Sequence, residues 1–302
     1  MLNQVKLMQA AESGGLERID ELASQGIDVN VPDRYGVTAL MKSSLWGDVD
    51  AVELLLGMGA DVNAKERAFG STALVLAALA GHDEIVQLLI KQGARVNSAT
   101  RVGGTALMAA SREGHEEVVR TLLENGAGAH CRDRRGFTAL TEAAREGKTG
   151  VVRMLLDVSA SPHVVDRDGR TPLFWACYKG HTDVARLLLD AGADADTQDK
   201  HQNTPLIWAS FKNHVRVAEL LLDNGVEVNY ETNAGYSPLL VASAAGHNRM
   251  VKLLLARGAD INSDNHRGYT ALFVAHAAQC PEVVRTLVLH HLSRNRFLWS
   301  SL

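Results

Sequence analysis

The chain of 302 residues has few of the features that mark secreted, membrane or disulfide-bonded proteins. It contains three cysteines, Cys131, Cys177 and Cys280, with no CxxC pair, and no Asn-x-Ser/Thr sequon. Cysteines that are widely spaced and odd in number indicate free thiols in a reducing compartment. No apolar run approaches roughly 18 residues, and no signal peptide is recognisable. We therefore expect a cytoplasmic protein, with the nucleus as the other possible location.

The net charge and the missing sequence motifs exclude further classes of protein. A net charge of −4 argues against a protein that coats nucleic acid or anionic lipid, so neither nucleic acid nor membrane is an expected partner. The sequence has no phosphate-binding glycine loop, no HExxH and no nucleophile elbow. We therefore expect no catalytic residues, no cofactor and no enzyme activity.

The main feature present is a short phrase that returns at a fixed interval. Gly-x-Thr-x-Leu, or a close variant, has its threonine at positions 38, 72, 105, 138, 171, 204 and 270, with a serine at 237. Consecutive units are 33 residues apart, apart from a first step of 34. Such a period predicts a stack of identical supersecondary units. Stacks of this kind present an extended surface for binding and seldom a catalytic pocket.

Each unit predicts two short helices. Within residues 166–198, Thr171 is a good helix N-cap, and Pro172 suits the first helical position, where no N–H is needed. The first helix is expected to end at Gly180 and the second at Gly192, because glycine adopts the left-handed conformation that closes a helix. The unit is therefore a turn, a helix, a short loop, a second helix and an extended link.

These residues resemble the ankyrin repeat. Its Thr-Pro-Leu-His-x-Ala phrase is matched at Thr171–Ala176 and Thr204–Ala209, its Gly-His step at Gly81-His82 and Gly180-His181, and its Gly-Ala-Asp-x-Asn ending at Gly59–Asn63. The resemblance implies an all-α repeat solenoid of helix-turn-helix units linked by β-turn or hairpin loops. It also implies a concave groove that binds a protein partner.

The pattern covers nearly the whole chain. We expect a single ankyrin-repeat domain over residues 1–292 and an apolar C-terminal tail over residues 293–302, which either caps the last unit or docks elsewhere. The predicted repeats are 1–33, 34–67, 68–100, 101–133, 134–166, 167–199, 200–232, 233–265 and 266–292.

Two departures from the family pattern carry structural expectations. Ser159 stands where other units have the helix-ending glycine, a loss of about 1 kcal/mol, so we expect the softest joint of the stack there. The family's histidine after the leucine is missing in every unit, and we expect apolar packing to take over its role. The residues in its place are Met41, Val75, Met108, Thr141, Phe174, Ile207, Leu240 and Phe273.

Histidines that recur at the repeat period raise the question of a metal site. Equivalent positions in neighbouring units lie about 10 Å apart. That distance is too long for a shared zinc ion, whose bonds are about 2 Å. We therefore interpret the recurring histidines as structural and expect no metal. A weaker candidate combines His276 with Cys280 and with His290 and His291.

The resemblance places partner contacts at the turn tips and at the end of each first helix. Along the chain these positions are first apolar, then basic, then a mixture of aromatic and basic residues, and Tyr, Trp and Arg dominate interface energetics. Trp175 and Trp208 are interpreted as packing between repeats. The predicted partner-binding residues are Tyr35, Leu45, Trp46, Phe69, Arg101, Arg112, Arg134, Arg135, Arg145, Arg167, Arg170, Tyr178, Lys179, Lys200, Phe211, Lys212, Tyr236 and Tyr269.

The function expected from this pattern is a non-enzymatic, monomeric adaptor or scaffold. Its partner would be a protein with an acidic segment flanked by apolar anchors. The alternative is a regulatory ankyrin protein that recruits or inhibits an enzyme, as a substrate receptor or as a bacterial effector directed at a host. For each single arginine at a turn tip, the alternative interpretation is that its charge is solvated at the edge of the stack and binds no partner.

Overall fold

The structure, a computed structural model, describes the backbone of residues 2–299 and the side chains of residues 5–293. Within those residues the secondary structure is helical, apart from one isolated antiparallel bridge between Asp264 and Thr270. The chain divides into two compact units, Met1–Ser161 and Pro162–Leu302. The single domain over residues 1–292 stays a prediction.

The helices of the described residues come in consecutive pairs. The first unit contains α1 Leu2–Ser13, α2 Leu16–Ser24, α3 Ala39–Trp46, α4 Val49–Gly57, α5 Ala73–Ala80, α6 Asp83–Lys91, α7 Ala106–Glu113, α8 Glu116–Glu124, α9 Ala139–Arg145 and α10 Thr149–Asp157. The second unit contains α11 Pro172–Lys179, α12 Thr182–Asp190, α13 Pro205–Lys212, α14 Val215–Asp223, α15 Pro238–Ala244, α16 Asn248–Ala256, α17 Ala271–Ala277 and α18 Pro281–Trp299.

Packing within each unit follows the repeat. The first helix of a pair packs on the first helix of the next pair, as in α3 on α5, and second helices pack on second helices, as in α4 on α6. The leucine of the repeated phrase fills the space between them: Leu74 and Leu173 are at most 1% exposed. The predicted all-α repeat solenoid is confirmed.

The threonine or serine of the phrase starts every first helix from α3 onward. The backbone N–H of Phe174 donates to Thr171 Oγ1 over 3.1 Å, and the N–H of Met108 donates to Thr105 Oγ1 over 3.3 Å. Ser237 does the same for Leu240. Each hydroxyl satisfies one of the N–H groups that a helix start leaves without a partner.

Glycine ends most of the second helices, as predicted. Gly192 follows α12 with a φ of 83°, in the left-handed region. Ser159 takes the same place after α10 with a φ of 60°, so the serine adopts a conformation that favours glycine. The boundary between the two compact units falls two residues later, after Ser161. The soft joint at this place stays a prediction.

Apolar packing occupies the place of the missing family histidine. Met41, Phe174 and Leu240 are each at most 3% exposed. Phe273, in the last helix pair, is 51% exposed and stacks on Tyr269 with 4.6 Å between ring centroids. The expected apolar substitution therefore holds except in the last pair and at Thr141, whose buried hydroxyl lies 3.1 Å from that of Thr138.

The last helix is longer than the pattern predicts. Helix α18 has 19 residues, whereas the other second helices have nine, so residues 293–299 continue the helix and do not form a separate tail. Residues 300–302 and the side chains after residue 293 lie outside the described residues. Whether the apolar tail caps the stack therefore stays a prediction.

Candidate partner-binding surface

The turn tips are built around a polar side chain that accepts their N–H groups. Asp33 Oδ1 accepts from the N–H of Tyr35 and of Val37, over 2.8 and 3.0 Å. Glu66 accepts from Phe69 and Ser71 in the next unit. Burial alone would raise the pKa of Glu66, but these backbone donors outweigh it and lower the pKa. The turns are therefore rigid, and their carboxylates are already engaged.

Backbone hydrogen bonds also join successive tips of the first unit. The N–H of Arg67 donates to the carbonyl oxygen of Tyr35 over 2.7 Å, and the N–H of Arg101 donates to that of Phe69 over 2.6 Å. Residues that stand before the turn glycine in neighbouring repeats are thereby held side by side. The tips of this unit form one ordered row.

The first unit exposes large apolar side chains at the predicted positions. Tyr35 is 54% exposed, Trp46 is 60% exposed and Phe69 is 66% exposed, and Leu45 is 37% exposed. Val102, which was not among the predicted residues, is 53% exposed at the tip of the following repeat. None of these side chains is needed to fill the interior, so this row is available for a partner.

Three arginines of the predicted basic stretch in the first unit are already paired, the first of them Arg112 with Glu113. Arg135 binds Asp133 over 2.8 Å and also binds Glu142. Arg145 lies 3.1 Å from the other oxygen of Glu142 and binds Glu146. Burial would lower the pKa of Arg135, but the hydrogen bond with Asp133 and the nearby carboxylates raise it overall. The charges of Arg135 and Arg145 are therefore compensated by carboxylates of the same repeat.

The ring of Phe137 lies beneath the same two arginines. The Arg135 guanidinium is 4.3 Å from the ring centroid and that of Arg145 is 5.4 Å from it. Phe137 is 4% exposed. Both arginines are therefore held by stacking as well as by charge, and their first role is to hold the fifth repeat together.

In the second unit two of the predicted aromatic residues, Tyr178 and Phe211, belong to one cluster around Trp208. Tyr178 and Trp208 lie edge to face with centroids 5.1 Å apart, and Trp208 meets Phe211 at 5.8 Å. Lys212 Nζ stands 4.9 Å from the Tyr178 ring centroid. Phe211 is 45% exposed, so the cluster reaches the surface.

Trp175 and Trp208 each link a helix to its turn. The indole N–H of Trp175 donates to Asp166 Oδ2 over 3.1 Å, and that of Trp208 donates to Asp199 Oδ2 over 3.2 Å. Both rings are half-buried. The sequence predicted packing between repeats, and Trp208 makes such a contact with Tyr178 of the preceding helix pair, while part of each ring faces solvent.

Charge in the second unit is also partly compensated. Arg170 lies 3.5 Å from Asp168, and Lys200 Nζ lies 3.2 Å from the other oxygen of the same carboxylate. The hydrogen bond from Lys200, together with the charges of Arg170 and Lys200, lowers the pKa of Asp168. Lys179, Arg167 and Lys200 remain exposed.

The recurring histidines contact the backbone of the preceding helix pair. His115 precedes α8 at the N-cap position, where its side chain makes no capping hydrogen bond. Its Nε2 lies 3.1 Å from the carbonyl oxygen of Leu79, and His214 makes the same contact with Tyr178. The ring of His115 lies so close to Gly81 that a Cβ there would come within 2.6 Å. Among the side chains described, no three His, Cys, Asp or Glu residues are arranged to hold a metal, and this includes the candidate around His276.

Besides Val102, sequence reasoning missed three residues of this surface. Arg67 and Arg34 are exposed at the tips one and two turns before Arg101, and counting back by the repeat period would have found them. Glu142 is 4% exposed and neutralises two predicted arginines. Its partner Arg135 is seven residues away, a spacing that gives no local signal.

Comparison with known proteins identifies the family. A model described as ankyrin repeats (3 copies) matches residues 6–66, 65–133, 96–166, 121–199 and 140–232, and one described as ankyrin repeats (many copies) matches residues 221–275. The chain belongs to the ankyrin-repeat family. Ankyrin repeats indicate a module for protein–protein interaction, typically without enzymatic activity.

Curated relatives share only short segments with this ankyrin-repeat protein. Serine/threonine-protein kinase 12 of Arabidopsis thaliana is 44% identical over 63 residues, which is 21% of this chain and 14% of the kinase. The mitochondrial disaggregase of Homo sapiens is 39% identical over 57 residues, 19% of this chain and 8% of the disaggregase. The putative ankyrin repeat protein YahD of Escherichia coli (strain K12) is 33% identical over 57 residues, 19% of this chain and 28% of that protein.

These matches cover well under two thirds of each relative's length, so they support the repeat and not a shared activity. A search of the described helices for one both long and apolar enough to cross a membrane found none.

Proposed function

We propose that this ankyrin-repeat protein is a non-enzymatic adaptor or scaffold that binds a segment of a partner protein along its turn tips and the ends of its first helices. The observation that carries the proposal is the exposure of Trp46 and Phe69, at 60% and 66%, on rigid elements. Large aromatic side chains held in this way act as anchors because they bury much apolar area and lose little conformational freedom.

The second unit supports the same function through different residues. Phe211 and Tyr236 are each 45% exposed, and Lys212 lies beside the ring of Tyr178. An aromatic surface flanked by lysine suits a partner that offers apolar side chains next to carboxylates. We therefore keep the acidic segment with apolar anchors as the proposed partner chemistry.

The experiment is a quantitative affinity capture with the whole chain. We expect Trp46→Ala/Phe69→Ala to lose a defined set of proteins that the wild type retains. Val158→Ala is the matched control, because Val158 is 45% exposed in the same unit but lies at the end of α10. Phe211→Ala/Tyr236→Ala tests the second unit in the same way.

The captures are compared only after circular dichroism has shown equal helical content. Identical sets of captured proteins for the wild type, the two double variants and Val158→Ala would contradict the proposal. The same aromatic residues would then be ordinary exposed side chains.

A further inference from the structure

A row of arginines runs along the turn tips of the first unit, one at each of four consecutive tips. Its members are Arg34, Arg67, Arg101 and Arg134, and we call them the arginine ladder. All four are exposed, and none forms an ion pair with another described residue. Four cations without a carboxylate partner, in a protein of net charge −4, indicate a surface that binds an anionic partner.

The backbone fixes the spacing of the ladder. The N–H of Arg67, Arg101 and Arg134 each donates to the tip carbonyl of the preceding repeat, over 2.7, 2.6 and 2.8 Å. The stem of Arg67 crosses the preceding turn so closely that a Cβ on Gly36 would come 2.6 Å from its Cγ. The cations are therefore one repeat apart, about 10 Å if the tips follow the packed helices.

The neighbouring carboxylates do not compete for these arginines. Asp33 and Glu66 accept the N–H groups of their own turns, and Asp133 accepts from its turn and binds Arg135. The guanidinium of Arg34 lies 4.6 Å from the Tyr35 ring centroid, a contact that leaves its charge uncompensated. The ladder thus offers a free positive charge at every step.

Exposed apolar side chains lie between the cations. Tyr35, Phe69 and Val102 directly precede the turn glycines of the first three ladder repeats. They are 54%, 66% and 53% exposed. Cations and apolar side chains thus alternate along the tips, and a bound chain would meet both in turn.

We infer that the arginine ladder binds an acidic peptide segment in an extended, polyproline-like conformation, with a carboxylate at every third residue. A polyproline helix has three residues per turn and rises about 3.1 Å per residue, so every third side chain lies on one face about 9 Å from the next. That repeat matches the step of the ladder. The inference rests on the proposed protein-binding function and specifies its partner.

Nucleic acid fits the ladder less well. Its phosphates follow one another much more closely than one repeat, at about 3.4 Å along each strand. The third apolar tip residue is Val102, which has no ring on which a base could stack. A peptide of matching period therefore uses both the charges and the apolar side chains between them.

The test measures fluorescence anisotropy with the whole chain and two labelled peptides of about ten residues, the length that spans four cations. The spaced peptide has three glutamate-proline-alanine units closed by a fourth glutamate. The block peptide has the same composition with its glutamates contiguous. We expect the spaced peptide to bind the wild type more tightly than the block peptide.

Two triple variants with equal loss of charge separate the ladder from general electrostatics. Both sets of arginines lie in the first unit and are exposed. The ladder variant is R67Q/R101Q/R134Q, and the control variant is R95Q/R120Q/R153Q. We expect the ladder variant to lose about tenfold in affinity for the spaced peptide and to show a weaker salt dependence, while the control variant changes little.

Three outcomes would overturn the inference. Equal losses of affinity in both triple variants would mean that only net charge matters. Equal affinity of the wild type for both peptides would show that a carboxylate at every third residue is not what the ladder recognises. Tighter binding of an oligothymidylate than of the spaced peptide through the ladder would indicate that the partner is nucleic acid.

The single variants R101Q and R134Q replace the triple variant if it fails to fold. Each is expected to show a smaller part of the loss of affinity. Failure here would leave the capture test at Trp46 unaffected, so the two proposals can fail separately.

Discussion

Replacing Ser159 by glycine should stabilise the first unit by about 0.5–1 kcal/mol. Ser159 has a φ of 60°, and a left-handed conformation costs a residue with a Cβ about 1–2 kcal/mol. Glycine removes that cost but has more freedom in the unfolded chain, which returns about 0.5–1 kcal/mol. The difference between the two terms is the expected gain.

The reverse change at an equivalent position provides the control. Gly126 ends α8 with a φ of 82°, and a Cβ added there would meet no atom within 4 Å. Gly126→Ser should therefore destabilise the protein by about the amount that Ser159→Gly stabilises it, since only the backbone term is involved.

The assay is urea unfolding followed by far-UV circular dichroism and by tryptophan fluorescence. The transitions of the two compact units are fitted separately if they do not coincide. We expect a higher midpoint for Ser159→Gly with an unchanged slope. A lower midpoint for Ser159→Gly, or no effect of Gly126→Ser, would refute the reasoning from backbone strain.

Three further substitutions test contacts inside the repeats. Glu142→Gln should lower stability by about 1–2 kcal/mol, because it leaves two arginines without their shared partner, and an unchanged urea midpoint at neutral pH would contradict this. Trp208→Phe should cost about 1 kcal/mol through the lost hydrogen bond to Asp199, and an unchanged melting temperature would show that the bond is dispensable. Asp196→Asn should stabilise the second unit, because burial and neighbouring carboxylates raise the pKa of Asp196, and an asparagine at the equivalent position, Asn97, donates to the glycine carbonyl of the next repeat. Because the pKa of Asp196 is higher in the folded state than in the unfolded state, the wild type loses stability as the pH rises from the unfolded pKa through the folded pKa. The stability advantage of Asp196→Asn should therefore grow over that pH interval. A stability difference that stays constant across the interval would contradict the assignment.

The repeat itself could be predicted from sequence because its signals are local. Thr171 and Gly192 start and end helices through their own backbone preferences, and the structure places both where the pattern predicts. The length of α18 was not predicted, because the regular unit suggested an end near residue 292. No glycine or proline follows Pro281, so nothing in the sequence stops that helix early.

Pairing between side chains was beyond sequence reasoning. Arg135 and Arg145 were predicted as free contacts for a partner, yet both share the carboxylate of Glu142. From the sequence, a charged residue such as Glu142 in the first helix is expected to be exposed to solvent. Only the packing of the repeats shows that it is buried. The exposure of Trp46 and Phe69 was easier to predict, because the repeat does not require apolar residues at these positions.

The most direct test of the partner-binding surface is site-specific photo-crosslinking. A benzoylphenylalanine side chain at position 69 replaces Phe69, which is 66% exposed, and the same group at position 158 replaces Val158 as the control. Our account predicts that position 69 captures a discrete partner protein that position 158 does not. The same products from both positions, or none from position 69, would contradict it.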